Sequence, residues 1–180
     1  MSITIRPARK SDIPAITRIY AHAVEHGTAS FELNAPDEAE MAHRMHHLLA
    51  DNFPYLAAEV AGVLCGYAYA GLYRARPAYR WALEDSVYIA HDMHRRGIGY
   101  ALLAALIEKA GALGFRQMIA VIGDSTRQAA STGLHEALGF RHVGILQDVG
   151  FKHSRWLDTV LMQRALGDGG NTQPQGPDQS

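Results

Sequence analysis

With 180 residues, 48% hydrophobic and 19% charged, the chain has the make-up of one globular domain able to bury a core without covalent staples. A formal net charge of -1 gives no electrostatic reason to expect nucleic acid or an anionic membrane as a partner. The single cysteine, Cys65, cannot form an intramolecular disulfide; with no signal-peptide pattern and no membrane-length apolar run, the expected compartment is the cytoplasm.

Ile3 and Ile5 alternate with polar neighbours, as in a short strand. Ser11 is a candidate cap for a helix with apolar face Ile13, Ile16, Ile19, Tyr20 and Ala23, Pro14 being tolerated in its first turn. Met41, Met45, Leu48 and Leu49 indicate a second helix, with Asp37, Glu38 and Glu40 favourably placed at its N-terminus. Tyr55–Val60 and Leu64–Ala70 read as a hairpin around Gly62, and Leu83–Ile89 as the next strand. Leu102, Leu103, Leu106, Ile107 and Ala110 then mark a helix that stops near Gly111 or Gly114. Met118–Ile122 is an apolar strand, Asp124 or Ser125 can cap a helix running to Gly139, and Val143–Val149 and Trp156–Met162 are the last strands. Strands and helices alternate in the second half, which implies a partly parallel sheet, and the N-terminal hairpin makes that sheet mixed. The expected fold class is therefore α/β (α+β), three-layered with helices on both faces. A single domain is expected over 1–166. Residues 167–180 lack apolar side chains and are expected to form a disordered tail.

Three segments carry chemistry. His94-Arg95-Arg96-Gly97-Ile98-Gly99 stands between a strand and an apolar helix, where glycines and unpaired N–H groups suit a pyrophosphate. The Rossmann pattern needs a third glycine, but Ala101 and Leu102 follow Gly99; Gly-Lys-Ser/Thr is absent, which excludes a Walker A loop. The remaining rival is a plain surface turn. Glu84, Asp85 and Ser86 interrupt an apolar strand, which is costly unless they face a cavity, or an edge strand leaves them wet. The loop Gly71–Trp81, with Arg74, Arg76 and Arg80, suits a small carboxylate or is an ordinary exposed loop. His43, His46 and His47 share a helix without a carboxylate that would complete HExxH, so a solvated face is expected and no metal. Cys65 reads as a buried apolar side chain.

Leu83–Ile89, His94–Gly99 and Gly133–Phe140 together resemble the GNAT N-acetyltransferases, in particular the branch that acetylates phosphinothricin and methionine sulfoximine; the likeness extends over about 3–166. The resemblance implies acetyl-CoA as co-substrate. Its pyrophosphate would be held by Arg95, Arg96, Gly97, Ile98, Gly99 and Tyr100, with His94 where the family has Gln or Arg. It further implies main-chain contacts from Val87, Tyr88 and Ile89, and a pantetheine contact from Gln128, where relatives carry Asn in a shorter segment. Glu84 is implied as general base, and His135, where the family usually has Tyr, as proton donor to the leaving thiolate; a packed helix histidine is the other reading of His135. The acceptor, a small-molecule amine, is implied to meet Arg74, Ala75, Arg76, Glu84, Asp85 and Ser86, and the protein to be a homodimer. A different amine acceptor (polyamine, aminoglycoside or protein N-terminus) and a non-catalytic acyl-CoA sensor are the alternatives; an intact Glu84 speaks against the sensor.

Overall fold

The strands assemble into one seven-stranded sheet in the order β1-β2-β3-β4-β5-β7-β6, antiparallel throughout except for β4 and β5. The computed structural model describes residues 2–126 and 128–174. In chain order these strands are β1 Ile3–Pro7, β2 Tyr55–Val60, β3 Val63–Leu72, β4 Ala82–Ile89, β5 Gln117–Gly123, β6 Arg141–Lys152 and β7 Arg155–Ala165. The helices are α1 Ile13–His26, α2 Glu38–Ala50, α3 Ile98–Ala112 and α4 Ala129–Ala137. The mixed three-layer architecture is as expected.

Alternation along the strands divides the core in two. One cluster joins Ile16, Ile19 and Val24 of α1 and Met41 and Met45 of α2 to Tyr55 and Tyr67. The other packs Ile98, Leu102, Leu103 and Leu106 of α3 against Leu83, Met118, Ala120 and Met162. Each fully buried aliphatic side chain contributes about 1.5–3 kcal/mol, so α3 is held by its two apolar ridges and needs no side-chain cap. The hairpin turn uses Ala61 (φ 51°) and Gly62 (φ 77°), two left-handed residues whose twist matches the strands they join.

Two caps differ from expectation. Asp12, not Ser11, precedes α1; its carboxylate accepts the Arg9 N–H at 2.7 Å and pairs with Arg6, work a serine hydroxyl cannot do as well. Neither Asp124 nor Ser125 caps α4, which starts after Gln128. Asp124 is instead turned into the interior by a left-handed backbone (φ 60°) and binds Arg155, Thr28 and Thr126. Residues 167–174, expected to be free, fold back on Arg116, whose guanidinium donates to Thr172 Oγ1 at 3.0 Å and to the Gln173 carbonyl at 3.2 Å. Residues 175–180 lie outside the described residues. No helix of the described residues is long and apolar enough to cross a membrane.

One irregularity positions everything that follows. β4 and β5 are paired only at Ala82, Leu83 and Glu84. Past that point β4 stays with β3 as far as Ile89, and β5 stays with β7 as far as Gly123. The sheet splits into a cleft whose two lips are unpaired strand edges.

Candidate active site

Glu84 sits where the cleft begins. It is half-buried, opposite Gly71 of β3, and burial raises its carboxyl above the ordinary value; Asp85 adds to the rise and the Arg74 cation opposes it. Glu84, Ser86 and Tyr88 point to the α1–α2 side, where Tyr88 packs edge-on against Tyr20 at 4.9 Å. On that same side lies a cavity of about 350 Å³ lined by Tyr20, Met41, Arg44, Leu48, Tyr55 and Tyr69, among others. Tyr69 stands directly opposite Ser86, and Gly71, lacking a side chain, leaves only Leu48 Cδ2 above the position next to Glu84. His43 and His47 also border this cavity, so the helix face expected to be merely solvated lines a concave surface. Among the described residues no group of His, Cys, Asp or Glu is arranged to hold a metal.

Asp85 points the other way. It is buried on the α3–α4 side and its Oδ2 lies 3.0 Å from His135 Nε2, while His135 Nδ1 lies 2.7 Å from the Ser131 carbonyl oxygen. The direct acceptor contact implied for Asp85 is therefore not what the strand's alternation produces. Burial lowers the His135 imidazole's affinity for a proton, but the bond and charge of Asp85 outweigh it and the net shift is upward. Asp85 Oδ1 is buried without a hydrogen-bond partner among the described residues. Asp85, Ser86, Val87 and Tyr88 on one lip and Ala120–Gly123 on the other line a cavity of about 60 Å³, closed by Gln128, Ser131, His135 and Ala29.

The turn beyond β4 leads into α3. Gly97 caps the helix at φ 79°, a conformation that favours glycine, and Arg95 is also left-handed at φ 59°. Among the described residues no side chain caps the first turn, so the N–H groups of Ile98, Gly99 and Tyr100 are available to an anion, with exposed Arg95 and Arg96 beside them. The two glycines serve different ends. A Cβ on Gly97 would meet nothing within 4 Å, whereas one on Gly99 would lie 3.3 Å from Leu134 Cδ2, so Gly99 lets α3 and α4 approach each other. His94 holds the Ile89 carbonyl with its Nε2 at 3.2 Å, tying the turn to the end of β4.

Gln128 sets its Nε2 3.4 Å from Thr28 Oγ1, joining the network in which Arg155 holds the Asp124 carboxyl down to about 2. That network pins the segment after α1, and the Phe31 ring lies against Gly123 and Gly150, where a Cβ on Gly123 would be 2.5 Å from Phe31 Cε1. The pinned segment brings Ala29 over the cleft. Arg74, Ala75 and Arg76 are exposed on the β3–β4 loop, with the Arg74 guanidinium 4.8 Å from the Tyr73 ring centroid and in no described ion pair with Glu84. Sequence reasoning missed the Asp85–His135 pair and the Asp124 network. Their partners are separated by 50, 31 and 96 positions, so no local spacing announces them.

An unpaired strand edge, an uncapped helix N-terminus beside two arginines and a half-buried carboxylate between them suit an acyl-CoA and an amine. Residues 5–161 match the family model described as an acetyltransferase (GNAT) domain. The chain belongs to the GNAT acetyltransferase family. Among its relatives is a phosphinothricin N-acetyltransferase of Alcaligenes faecalis, 54% identical over 96% of this chain and 87% of the relative. An L-methionine sulfoximine/L-methionine sulfone acetyltransferase of Pseudomonas aeruginosa is 40% identical over 92% of this chain and 96% of its own length. The crystal structure of a GNAT phosphinothricin acetyltransferase from Sinorhizobium meliloti in complex with acetyl-CoA superposes with a TM-score of 0.95 at 46% identity, covering 98% of this chain and 95% of that one. The GNAT enzyme described here is thus an acetyl-CoA-dependent N-acetyltransferase, and its cleft fits the co-substrate through the β4 edge and the α3 N-terminus.

Proposed function

We propose that this GNAT enzyme acetylates the α-amino group of a small amino-acid analogue with a tetrahedral polar end, such as phosphinothricin, methionine sulfoximine or methionine sulfone. The observation that carries the reading is a half-buried Glu84 on the same sheet face as a tyrosine-lined cavity, opposite the acetyl-CoA cleft's α3–α4 wall. It is supported by the substrates named for the relatives above. Acetyl-CoA supplies the activated acetyl group; the pyrophosphate goes to the Arg95–Tyr100 turn and the pantetheine arm runs along Val87–Ile89 toward Gln128. Glu84 takes the ammonium proton, which frees the nitrogen lone pair for attack, and its raised pKa improves the match between base and amine. A β4 backbone N–H in the Val87–Ile89 stretch polarises the thioester carbonyl, and His135 is the proton source for the departing thiolate.

Arg74 and Arg76 approach the acceptor carboxylate from the exposed loop; Arg74 already acts on Glu84 through its charge. Ser86, on the Glu84 face, contacts the same substrate. β6 supports a homodimer: Val143, Ile145, Val149 and Phe151 are all more than half exposed along an edge strand, a surface that a second copy would cover. The cytoplasm is the compartment this reading assigns.

Thiol release from acetyl-CoA, measured with phosphinothricin, methionine sulfone, polyamines and peptides, tests the reading. The free amino-acid analogues should react best; their carboxamides should show a raised KM, and Arg74→Ala should shrink that difference because the bidentate partner is gone. Equal rates for acid and amide in the parent enzyme would instead favour a peptide or polyamine acceptor.

A further inference from the structure

The His135–Asp85 contact fixes where protons sit. A carbonyl oxygen can only accept, so His135 Nδ1 donates to Ser131 at 2.7 Å and carries a hydrogen. Nε2 faces a carboxylate oxygen at 3.0 Å, and a bond there requires one more proton between them. Among the described residues Asp85 Oδ1 has no partner of its own, so no other described donor draws off the carboxylate's charge. Both side chains are more than nine-tenths buried, His135 at 4% and Asp85 at 2% exposure. A buried histidine left to itself gives up its proton, and a buried aspartate left to itself takes one. Together they remove that conflict.

We propose that Asp85 is a positioning residue for acetyl transfer, which holds His135 doubly protonated at the head of the cleft. This rests on the transfer reading above for its catalytic consequence, not for its geometry. Glu84 passes the ammonium proton on to solvent before attack; as the amine nitrogen bonds to the acetyl carbon Glu84 takes the second N–H proton, the breaking C–S bond sends its electron pair to sulfur, and the Nε2 proton of His135, shared with Asp85 until then, completes the thiol. The neutral Nε2 then faces the Asp85 carboxylate, an unfavourable pairing that solvent relieves by returning a proton. Without Asp85, burial would leave His135 neutral near physiological pH and without a proton to give. Among the described residues no other group around the pair replaces Asp85: Glu84 lies on the opposite strand face, α4 contributes Ser131 and the turn before it Gln128, β5 contributes Ala120 and Ile122, and the Phe140 ring meets the imidazole edge-on at 4.9 Å.

The deciding measurement is imidazole ¹⁵N–¹H NMR of the ligand-free enzyme, with His135→Gln to assign the signal. His135 should carry hydrogens on both ring nitrogens at neutral pH and titrate above the ordinary histidine value of 6.5. In Asp85→Asn its midpoint should fall below that value, because burial persists when the carboxylate is gone. kcat at neutral pH should drop by about tenfold or more and recover partly as the pH is lowered, with KM for acetyl-CoA within about twofold of the parent. A singly protonated His135 in the parent at neutral pH overturns the proposal even if the variant cannot be purified, as does an unmoved midpoint in Asp85→Asn. Failure of the enzyme to acetylate any amine, with His135 behaving as expected, would sink the functional reading and leave the proton pair standing.

Discussion

Glu84 and Asp85 are consecutive acids on one strand, and they live in different surroundings. Glu84 is half-buried, faces the tyrosine-lined side and has no described ion pair; Asp85 is buried on the opposite face and bonded to His135. A strand's alternation sends neighbouring side chains to opposite faces, so one carboxylate meets the tyrosine-lined side and the other the α4 side. Chemistry divides accordingly: a carboxylate without a fixed partner can take a proton and release it, whereas one tied to an imidazole holds a neighbour's charge in place. Two acids that look alike in sequence thus suit the two roles proposed above, a base and a support.

The sharpest test of this contrast is a matched pair of isosteric substitutions. Glu84→Gln keeps the shape but cannot accept a proton, and turnover should fall by about 10²–10⁴-fold with acetyl-CoA affinity little changed. The pH profile should agree: with its carboxyl raised by burial, Glu84 charges only above the ordinary value of 4.5, so the parent's acid limb should lie above that value. Near-normal turnover in Glu84→Gln would reassign the base. Asp85→Asn should cost less and leave a profile altered on the His135 side.

The next effect falls on the co-substrate. Gly99→Val brings bulk toward Leu134 at the junction of α3 and α4, an overpacking of about 1–3 kcal/mol, and should displace the first-turn N–H groups from the pyrophosphate. Calorimetry should show weaker acetyl-CoA binding by a folded protein. Unchanged affinity would move the anion site away from this turn.

The smallest effect is on stability. A histidine whose pKa is raised in the folded state stabilises it fully below 6.5, and that contribution is lost as pH rises through the folded-state value. The Tm gap between the parent and Asp85→Asn should therefore be widest in mildly acidic buffer and close toward alkaline pH. A gap that grows on the alkaline side would mean that the pair does not carry the charge assigned to it.

Much of this enzyme was legible in its residues because the signals were local. Apolar periodicity marked each helix and strand, Gly62 marked the hairpin, and His94–Gly99 before an apolar helix marked the turn expected to hold an anion, which leads into a helix N-terminus without a side-chain cap among the described residues. The charged run Glu84–Ser86 inside an apolar strand pointed to a cavity, because isolated charge is costly in a core; Asp85 and Ser86 line one, and Glu84 is half-buried at the start of the cleft. What the residues alone could not assign was direction and partnership. Whether Asp85 faces acceptor or helix depends on the register of β4 against β3, and Asp124 as a buried anchor for Arg155 and Thr28 depends on a loop closing over β5. The split between β4 and β5 has no sequence mark either. It exists because β4 follows β3 and β5 follows β7, and backbone pairing is decided by which strands the whole chain brings side by side.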